Sequence, residues 1–230
     1  MNTKFLLEQL LGNSTDHSKN NSSLPNSRQN IPDDLSSILT GKGGAALAGG
    51  ALGLLLGSKS GRKMGGKVLK YGGLAVIGTL AYKAYQNHQK QDGKAGTPPI
   101  QPLGQLSPSQ EEAHSKAILI ALIAASKADG HIDGREREMI DSEVRKITDD
   151  PQLQRWFETE LAKPLDPAEV AKHSADEAMA TEMYLASLLA IDEQNFMEKA
   201  YLGELARQLN IPPGLQAELE RQAKKASELA

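Results

Sequence analysis

The segment Ala117-Ile-Leu-Ile-Ala-Leu-Ile-Ala-Ala125 is apolar on every side when it is drawn as a helix. At nine residues it is too short to cross a bilayer, so it predicts a buried core helix. Beyond Glu111 the chain keeps helical periodicity and shows no convincing strand alternation. The sequence therefore predicts a compact all-α domain over residues 111–230, which is enough chain to bury a normal core.

Aspartate residues mark several predicted helix starts in this domain. Asp133 and Asp149 each stand before a helical segment. Asp166-Pro167-Ala168-Glu169 places proline at the first helical position and glutamate at the third, which is a good start signal. Further helices are predicted at 152–162, 176–191, 195–209 and 213–229.

An acidic segment follows the core helix and has a faint second copy later in the chain. The first copy reads Ala128-Asp-Gly-His-Ile-Asp-Gly-Arg-Glu-Arg-Glu-Met-Ile140, and the second reads Ala190-Ile-Asp-Glu-Gln-Asn-Phe-Met-Glu-Lys-Ala-Tyr-Leu202. Five identities fall in 28 positions, against about two expected by chance from ordinary composition. The identical pairs are Ala124 and Ala186, Ala128 and Ala190, Glu136 and Glu198, Arg145 and Arg207, and Pro151 and Pro213. Apolar positions also correspond, which indicates a weak internal duplication.

Charge is divided unevenly along the chain. Residues 1–110 carry 12 Lys and Arg against 5 Asp and Glu, whereas residues 111–230 carry 14 against 24. Only three tyrosines interleave with the basic charges of the first part, so it suits a membrane surface better than nucleic acid. The absence of cysteine excludes disulfides, cysteine-based zinc sites and thiol nucleophiles.

Residues 1–110 divide into four predicted segments. Leu6, Leu7, Leu10 and Leu11 share one face of a short amphipathic helix that can lie on a membrane or dock on a partner. The alternative is a frayed terminus, because isolated helices of this length are marginal. The segments are a short amphipathic helix at 1–11, a disordered polar linker at 12–40, a glycine-rich segment at 41–86 and a Pro/Gly linker at 87–110.

The glycine-rich segment contains two runs of low charge, 43–58 and 68–82, joined by basic residues. As helices the runs are about 24 and 22 Å long, short of the roughly 30 Å hydrocarbon core. Flanking lysines can snorkel and a bilayer can thin, so we predict a membrane-associated helical hairpin. Glycine at every fourth position favours close helix packing and homo-oligomerisation, at Gly49, Gly53, Gly57, Gly61 and Gly65. A soluble Gly/Ala hairpin, or a segment that glycine keeps from ordering, is the alternative.

The acidic segment partly matches a calcium-binding loop. Asp129, His131, Asp133 and Gly134 occupy positions like 1, 3, 5 and 6 of an EF-hand, but position 12 is Ile140. An ordinary EF-hand is therefore not expected. The candidate ligands for Ca²⁺, Mg²⁺ or Mn²⁺ are Asp129, Asp133 and Glu136, together with Asp192 and Glu198 from the second copy. The alternative interpretation is structural, with Asp133 capping a helix and Glu136 closing a capping box.

These residues also carry a family resemblance. ADGHIDGRERE after an apolar helix, together with YLASLLAIDEQNFMEKAYLGELARQLNIP, resembles the TerB-like domains associated with tellurite resistance. The whole arrangement, including KPLDPAEV, is similar to the uncharacterised bacterial YebE-like inner-membrane proteins. The resemblance implies a compact helical carboxy-terminal domain, an inner-membrane location and a divalent-cation site at Asp129, Asp133 and Glu136.

Catalytic motifs are lacking in the sequence. It contains no G-x-x-x-x-G-K-[ST], no G-x-S-x-G and no H-E-x-x-H, and its five histidines have no common zinc-ligand spacing. We therefore expect a non-enzymatic bacterial inner-membrane-associated protein with a role such as stress sensing. Its acidic domain is expected to bind a divalent cation, an envelope protein partner or both. The alternative is a soluble helical scaffold or interaction protein with no metal site.

Overall fold

A computed structural model describes residues 2–10, 74–91, 107–128, 130, 132, 134–191 and 195–228. All regular structure in these ranges is α-helical, which confirms the predicted all-α fold. Its helices are α1 (Thr3–Leu10), α2 (Leu74–Gln91), α3 (Pro108–Ala125), α4 (Gly134–Ile147), α5 (Pro151–Ala162), α6 (Pro167–Ala171), α7 (Glu177–Ala190), α8 (Phe196–Gln208) and α9 (Pro213–Glu228).

Helices α3 and α7 form the centre of the bundle and pack against each other. Every residue of α3 from 117 to 125 is buried, and so is every residue of α7 from 178 to 190. A helix that is buried all round needs neighbours on every side. Helix α3 contacts α1, α5 and α6, and α7 contacts α2, α8 and α9. The predicted buried core helix is thus confirmed, as one of two such helices.

Side-chain caps fix several helix starts. The Asp166 carboxylate accepts a hydrogen bond from the Ala168 amide at 2.9 Å, as the sequence predicts. Helix α5 is capped by Asp150 and not by the expected Asp149. Pro151 is the first helical residue, and the cap must directly precede that position. The starts of α7 and α8 are capped by Asp176 and Asn195.

The helix starts repeat in register with the sequence duplication. Helices α4 and α8 begin at Gly134 and Phe196, and α5 and α9 begin at Pro151 and Pro213. Both pairs of starts coincide in the alignment that places Ala128 on Ala190. The contact of α3 with α5 also has a counterpart in the contact of α7 with α9. Two related helical units therefore meet through their central helices.

The expected amphipathic helix at the amino terminus is present as α1. Leu6, Leu7 and Leu10 are buried, whereas Phe5 is 39% exposed on the opposite side. Leu11, the fourth residue of the expected face, lies outside the described ranges. The apolar face of α1 is covered by its own chain, mainly by α3.

Helix α2 contains the last part of the glycine-rich segment and belongs to the same bundle. Its buried side chains pack against α7 and α9, and they include Ile77, Leu80, Ala81 and Ala84. The sequence places the end of the glycine-rich segment at residue 86 and the start of a linker at residue 87, whereas α2 continues to Gln91. Helix α3 likewise begins at Pro108, inside that expected linker.

Polar contacts explain why α2 extends so far. The Asn87 side-chain amide donates to Glu218 Oε1 of α9 at 2.8 Å, and the Tyr85 hydroxyl donates to Glu177 Oε2 of α7 at 3.4 Å. These partners hold the last turns of α2 against the bundle. The packed core thus includes residues on the amino-terminal side of residue 111, the expected start of the helical domain.

The remaining expectations for the amino-terminal part lie outside the described residues. They are the linker at 12–40, the first run of the hairpin and the glycine series Gly49, Gly53, Gly57, Gly61 and Gly65. Among the helices that the structure describes, none is both long and apolar enough to cross a membrane.

The docking of α2 predicts a clear difference between two substitutions in that helix. Leu80→Ala removes a buried side chain and should lower the free energy of unfolding by about 2–5 kcal/mol. Lys83→Ala, at an exposed position of α2, should change it by roughly 0.5 kcal/mol or less. Urea unfolding followed by circular dichroism measures both. Equal stability of the two variants would contradict the packing of α2 in the core.

Candidate functional site

Most of the predicted cation ligands fall outside the described part of the structure. Asp129, Asp133 and Asp192 are not described, and Glu136 is described only as part of the backbone of α4. Glu198 is described in full. Among the side chains that the structure describes, no group of three or more His, Cys, Asp or Glu residues is placed to hold a metal ion.

Glu198 shows what the second acidic copy does at the start of α8. Its Oε2 accepts a hydrogen bond from the Asn195 amide at 2.8 Å, and Asn195 Oδ1 accepts one from the Glu198 amide at 3.0 Å. This reciprocal pair is a capping box. In the alignment of the two copies, Asn195 and Glu198 correspond to Asp133 and Glu136. The second copy therefore has the arrangement that the structural interpretation predicts for the first.

Of the acidic segment before α4, the structure describes Ala128, Gly130 and Ile132. Gly130 has a φ of 134°, a conformation that side-chain-bearing residues rarely adopt. Ile132 is partly buried against the core.

A cavity of about 170 Å³ opens beside the first acidic segment, between the carboxy-terminal parts of α3 and α5 and helix α6. Its floor is aliphatic and consists of Ile120, Ile123, Ala124 and Val170. Its rim is charged. Lys127, Lys163 and His173 supply the basic groups, and Glu160, Asp166 and Glu169 supply the acidic groups.

Lys127 ties the end of α3 to the end of α5. Its Nζ donates hydrogen bonds to the backbone carbonyls of Lys163 at 2.9 Å and Glu160 at 3.2 Å. A cation beside the last carbonyls of a helix is favourable, because the helix dipole has its negative end there. Burial lowers the pKa of the Lys127 amine, which the charge of Glu160 opposes and the charge of Lys163 reinforces.

One of the sequence motifs lines this cavity. Lys127 directly precedes the acidic segment that starts at Ala128, and the opposite wall is formed by KPLDPAEV, residues 163–170. The acids on the wall already have partners, since Glu160 pairs with Lys163 at 2.6 Å and Glu169 pairs with Lys172. Burial lowers the pKa of His173 at the same rim. Of the motifs that carry the family resemblance, KPLDPAEV thus lines the cavity.

A buried ion pair joins the two central helices. His114 of α3 is 6% exposed and Glu182 of α7 is 1% exposed, and His114 Nε2 is hydrogen-bonded to Glu182 Oε2. Burial disfavours the imidazolium, but the hydrogen bond and charge of Glu182, helped by the charge of Asp176, outweigh it and raise the pKa of His114. The sequence alone indicates only an exposed or structural histidine at this position. The structure shows the structural role and identifies its partner.

The raised pKa of His114 predicts a pH-dependent contribution to stability. Protonation of His114 favours the folded state, so this contribution is complete below the unfolded pKa of about 6.5 and is lost as pH rises through the higher folded value. His114→Gln keeps a hydrogen-bond donor for Glu182 but does not titrate. The free energy of unfolding of the wild type should therefore fall relative to the variant as pH rises through this window. Urea unfolding at several pH values measures the difference, and parallel pH profiles would contradict the assignment.

Comparisons with known proteins give a family but no activity. No solved structure matches the chain. The chain is 34% identical over 104 residues to an uncharacterized protein in the ampR 5′ region of Yersinia enterocolitica, and the match covers 45% of this chain and 75% of that protein. Residues 41–223 match the model of DUF533, a family described as proteins of unknown function. That range includes α2, both acidic segments and the cavity, so the chain belongs to the DUF533 family.

Proposed function

We propose that this protein is a non-enzymatic binding protein of the bacterial inner membrane. In this proposal the glycine-rich basic segment attaches the protein to the membrane, and the helical domain binds a divalent cation, an envelope protein or both. The observation that carries the proposal is the docking of α2. The glycine-rich segment leads into α2 at Leu74, and the buried face of α2 is part of the domain core.

The docking of α2 connects the segment proposed to attach to the membrane with the domain proposed to bind a cation or a protein. Lys59, Arg62, Lys63 and Lys67 lie shortly before the start of α2, and basic side chains in such a cluster attract anionic lipid headgroups. A helix that begins just after the cluster and packs on α7 and α9 keeps the domain close to the surface that the cluster contacts. The domain itself carries an excess of acidic residues, which suits a cation or a basic protein surface.

The resemblance to YebE-like inner-membrane proteins and TerB-like domains supports the same assignment. The cation site proposed on that basis is formed by Asp129, Asp133 and Glu136. The second copy lacks the Asp-Gly pair of the first, because Asn195-Phe196 stands where the first copy has Asp133-Gly134. The first copy is therefore the stronger candidate, and Asp192 with Glu198 is the weaker one.

Membrane attachment is tested by fractionating bacteria that express the full chain. We expect the protein to sediment with membranes and to remain there after high-salt and carbonate washes. Deletion of residues 41–73 leaves α1 and α2 in the chain and should release it into the supernatant. Release of the intact chain by salt alone would mean that the protein is held at the membrane surface by electrostatic attraction, without insertion. Recovery of the intact chain wholly in the soluble fraction would favour the alternative, a soluble helical scaffold.

Cation binding is tested by calorimetry and thermal unfolding of the full chain with Ca²⁺, Mg²⁺ and Mn²⁺. A bound cation should raise the melting temperature by mass action. Asp133→Asn should weaken this shift strongly, while apo stability changes by only about 0.5 kcal/mol because asparagine also caps helices well.

Asp150→Asn is the matched control, because Asp150 caps α5 outside the acidic segment and should leave cation binding unchanged. Absence of both heat and thermal shift with all three ions would remove the cation from the proposal. The acidic segment at residues 128–140 would then remain the proposed binding surface for an envelope protein.

A further inference from the structure

The face of α3 that receives α1, called the groove below, buries one side of that helix. Leu6, Leu7 and Leu10 enter it and are fully buried or nearly so. These residues lie at helical spacing on one side of α1, which is how an amphipathic helix docks into an apolar groove. Helix α1 packs mainly on α3, which is distant from it in sequence.

Polar contacts at one end of the groove fix the position of α1. Both carboxylate oxygens of Glu112 accept hydrogen bonds from the Thr3 amide, at 3.0 and 3.1 Å. The Thr3 hydroxyl donates to the Glu112 carbonyl at 3.1 Å, and Lys4 Nζ pairs with Glu111 Oε2 at 2.8 Å. A carboxylate at a helix amino terminus satisfies free amides and matches the helix dipole. The groove thus recognises a helix start as well as three leucines.

The segment that follows α1 is long enough for α1 to reach a second copy of the chain. Segment 11–73 joins α1 to α2, and a chain of this length can span at most roughly 220 Å. A helix as short as α1 is marginal on its own, so α1 gains its stability from docking. Every copy of the protein carries the same helix and the same groove.

We propose that the groove on α3 also accepts α1 from a second copy of this chain, so that copies assemble by exchanging their amino-terminal helices. The exchanged arrangement repeats the contacts seen within one chain, with the three leucines in the groove, Thr3 on Glu112 and Lys4 on Glu111. No new surface is needed, which is why exchange of an identical element is an accessible route to dimers. The glycine series is not required for this association.

Single-cysteine cross-linking tests the exchange, because the natural chain has no cysteine. Two differently tagged full chains are prepared, one with Lys4→Cys and the other with Glu111→Cys. They are mixed, incubated just below the onset of cooperative unfolding and treated with a short bis-maleimide. We expect a cross-linked heterodimer whose yield rises with protein concentration. A chain carrying both substitutions should cross-link internally, which verifies the geometry of the pair.

Two changes in the Lys4→Cys chain separate exchange from random collision. Adding Leu7→Glu places a charge on the buried face and should abolish the heterodimer. Adding Phe5→Glu alters the exposed side of α1 and should leave the yield of heterodimer unchanged. A third chain carries Lys199→Cys, at an exposed position of α8. It should form no cross-linked heterodimer with the Lys4→Cys chain.

The proposal is overturned if the double variant cross-links internally while the mixed single variants form no heterodimer at any concentration. It is also overturned if heterodimer persists with Leu7→Glu, or forms equally with Lys199→Cys. Failure of the double variant to cross-link internally would contradict the docking on which the exchange depends.

Discussion

The structure depends on two helices that are buried on every side, α3 from residue 117 to 125 and α7 from residue 178 to 190. A helix that is buried on all sides needs more than one neighbour to cover it, so α3 and α7 cannot be covered by each other alone. The two related units supply part of the cover, through α5 and α6 on α3 and α8 and α9 on α7. The remaining cover is provided by α1 and α2, which both precede the helical domain that the sequence predicts. The central pair thus explains why distant parts of the chain fold together.

This requirement also determines how the two parts of the protein are related. The sequence separates a basic glycine-rich part from an acidic helical part, yet α2 contains residues of the first and is buried in the second. A change that displaces α2 would therefore alter its packing on α7 and α9 directly. Just beyond the carboxy-terminal end of α3, Lys127 joins the core to the end of α5, and the acidic segment follows it in the sequence. Attachment and binding are linked through the same two central helices in the proposed function.

Local patterns predicted the helical parts of the fold well. The apolar run 117–125 identified the core helix, and Asp166 with Pro167 identified the start of α6, because both signals lie within a few residues. The extent of α2 was not predictable in this way. Its last turns are held by Glu177 and Glu218, which are distant in sequence and give no local signal.

The candidate site, like the fold, could be predicted from the sequence only where its signals are local. Periodicity and spacing pointed to the acidic segments, and the capping box of α8 stands at the positions that correspond to Asp133 and Glu136, where the sequence predicts one. The cavity was not inferred, because its walls come from α3, α5 and α6 and meet only in the folded chain. KPLDPAEV was the available signal, but as a resemblance it had no chemical meaning until the structure placed it opposite Lys127. The partner of His114 was hidden for the same reason.

The central claim is that α1 and α2 belong to the same cooperative unit as α3 and α7. Hydrogen–deuterium exchange of the full chain, followed by mass spectrometry of its peptides, tests this most directly. Amides in 74–91 should exchange with protection comparable to that of 177–190, and amides in 3–10 should also be protected. Exchange of both segments at the rate of an unstructured peptide, with α3 and α7 still protected, would contradict the claim.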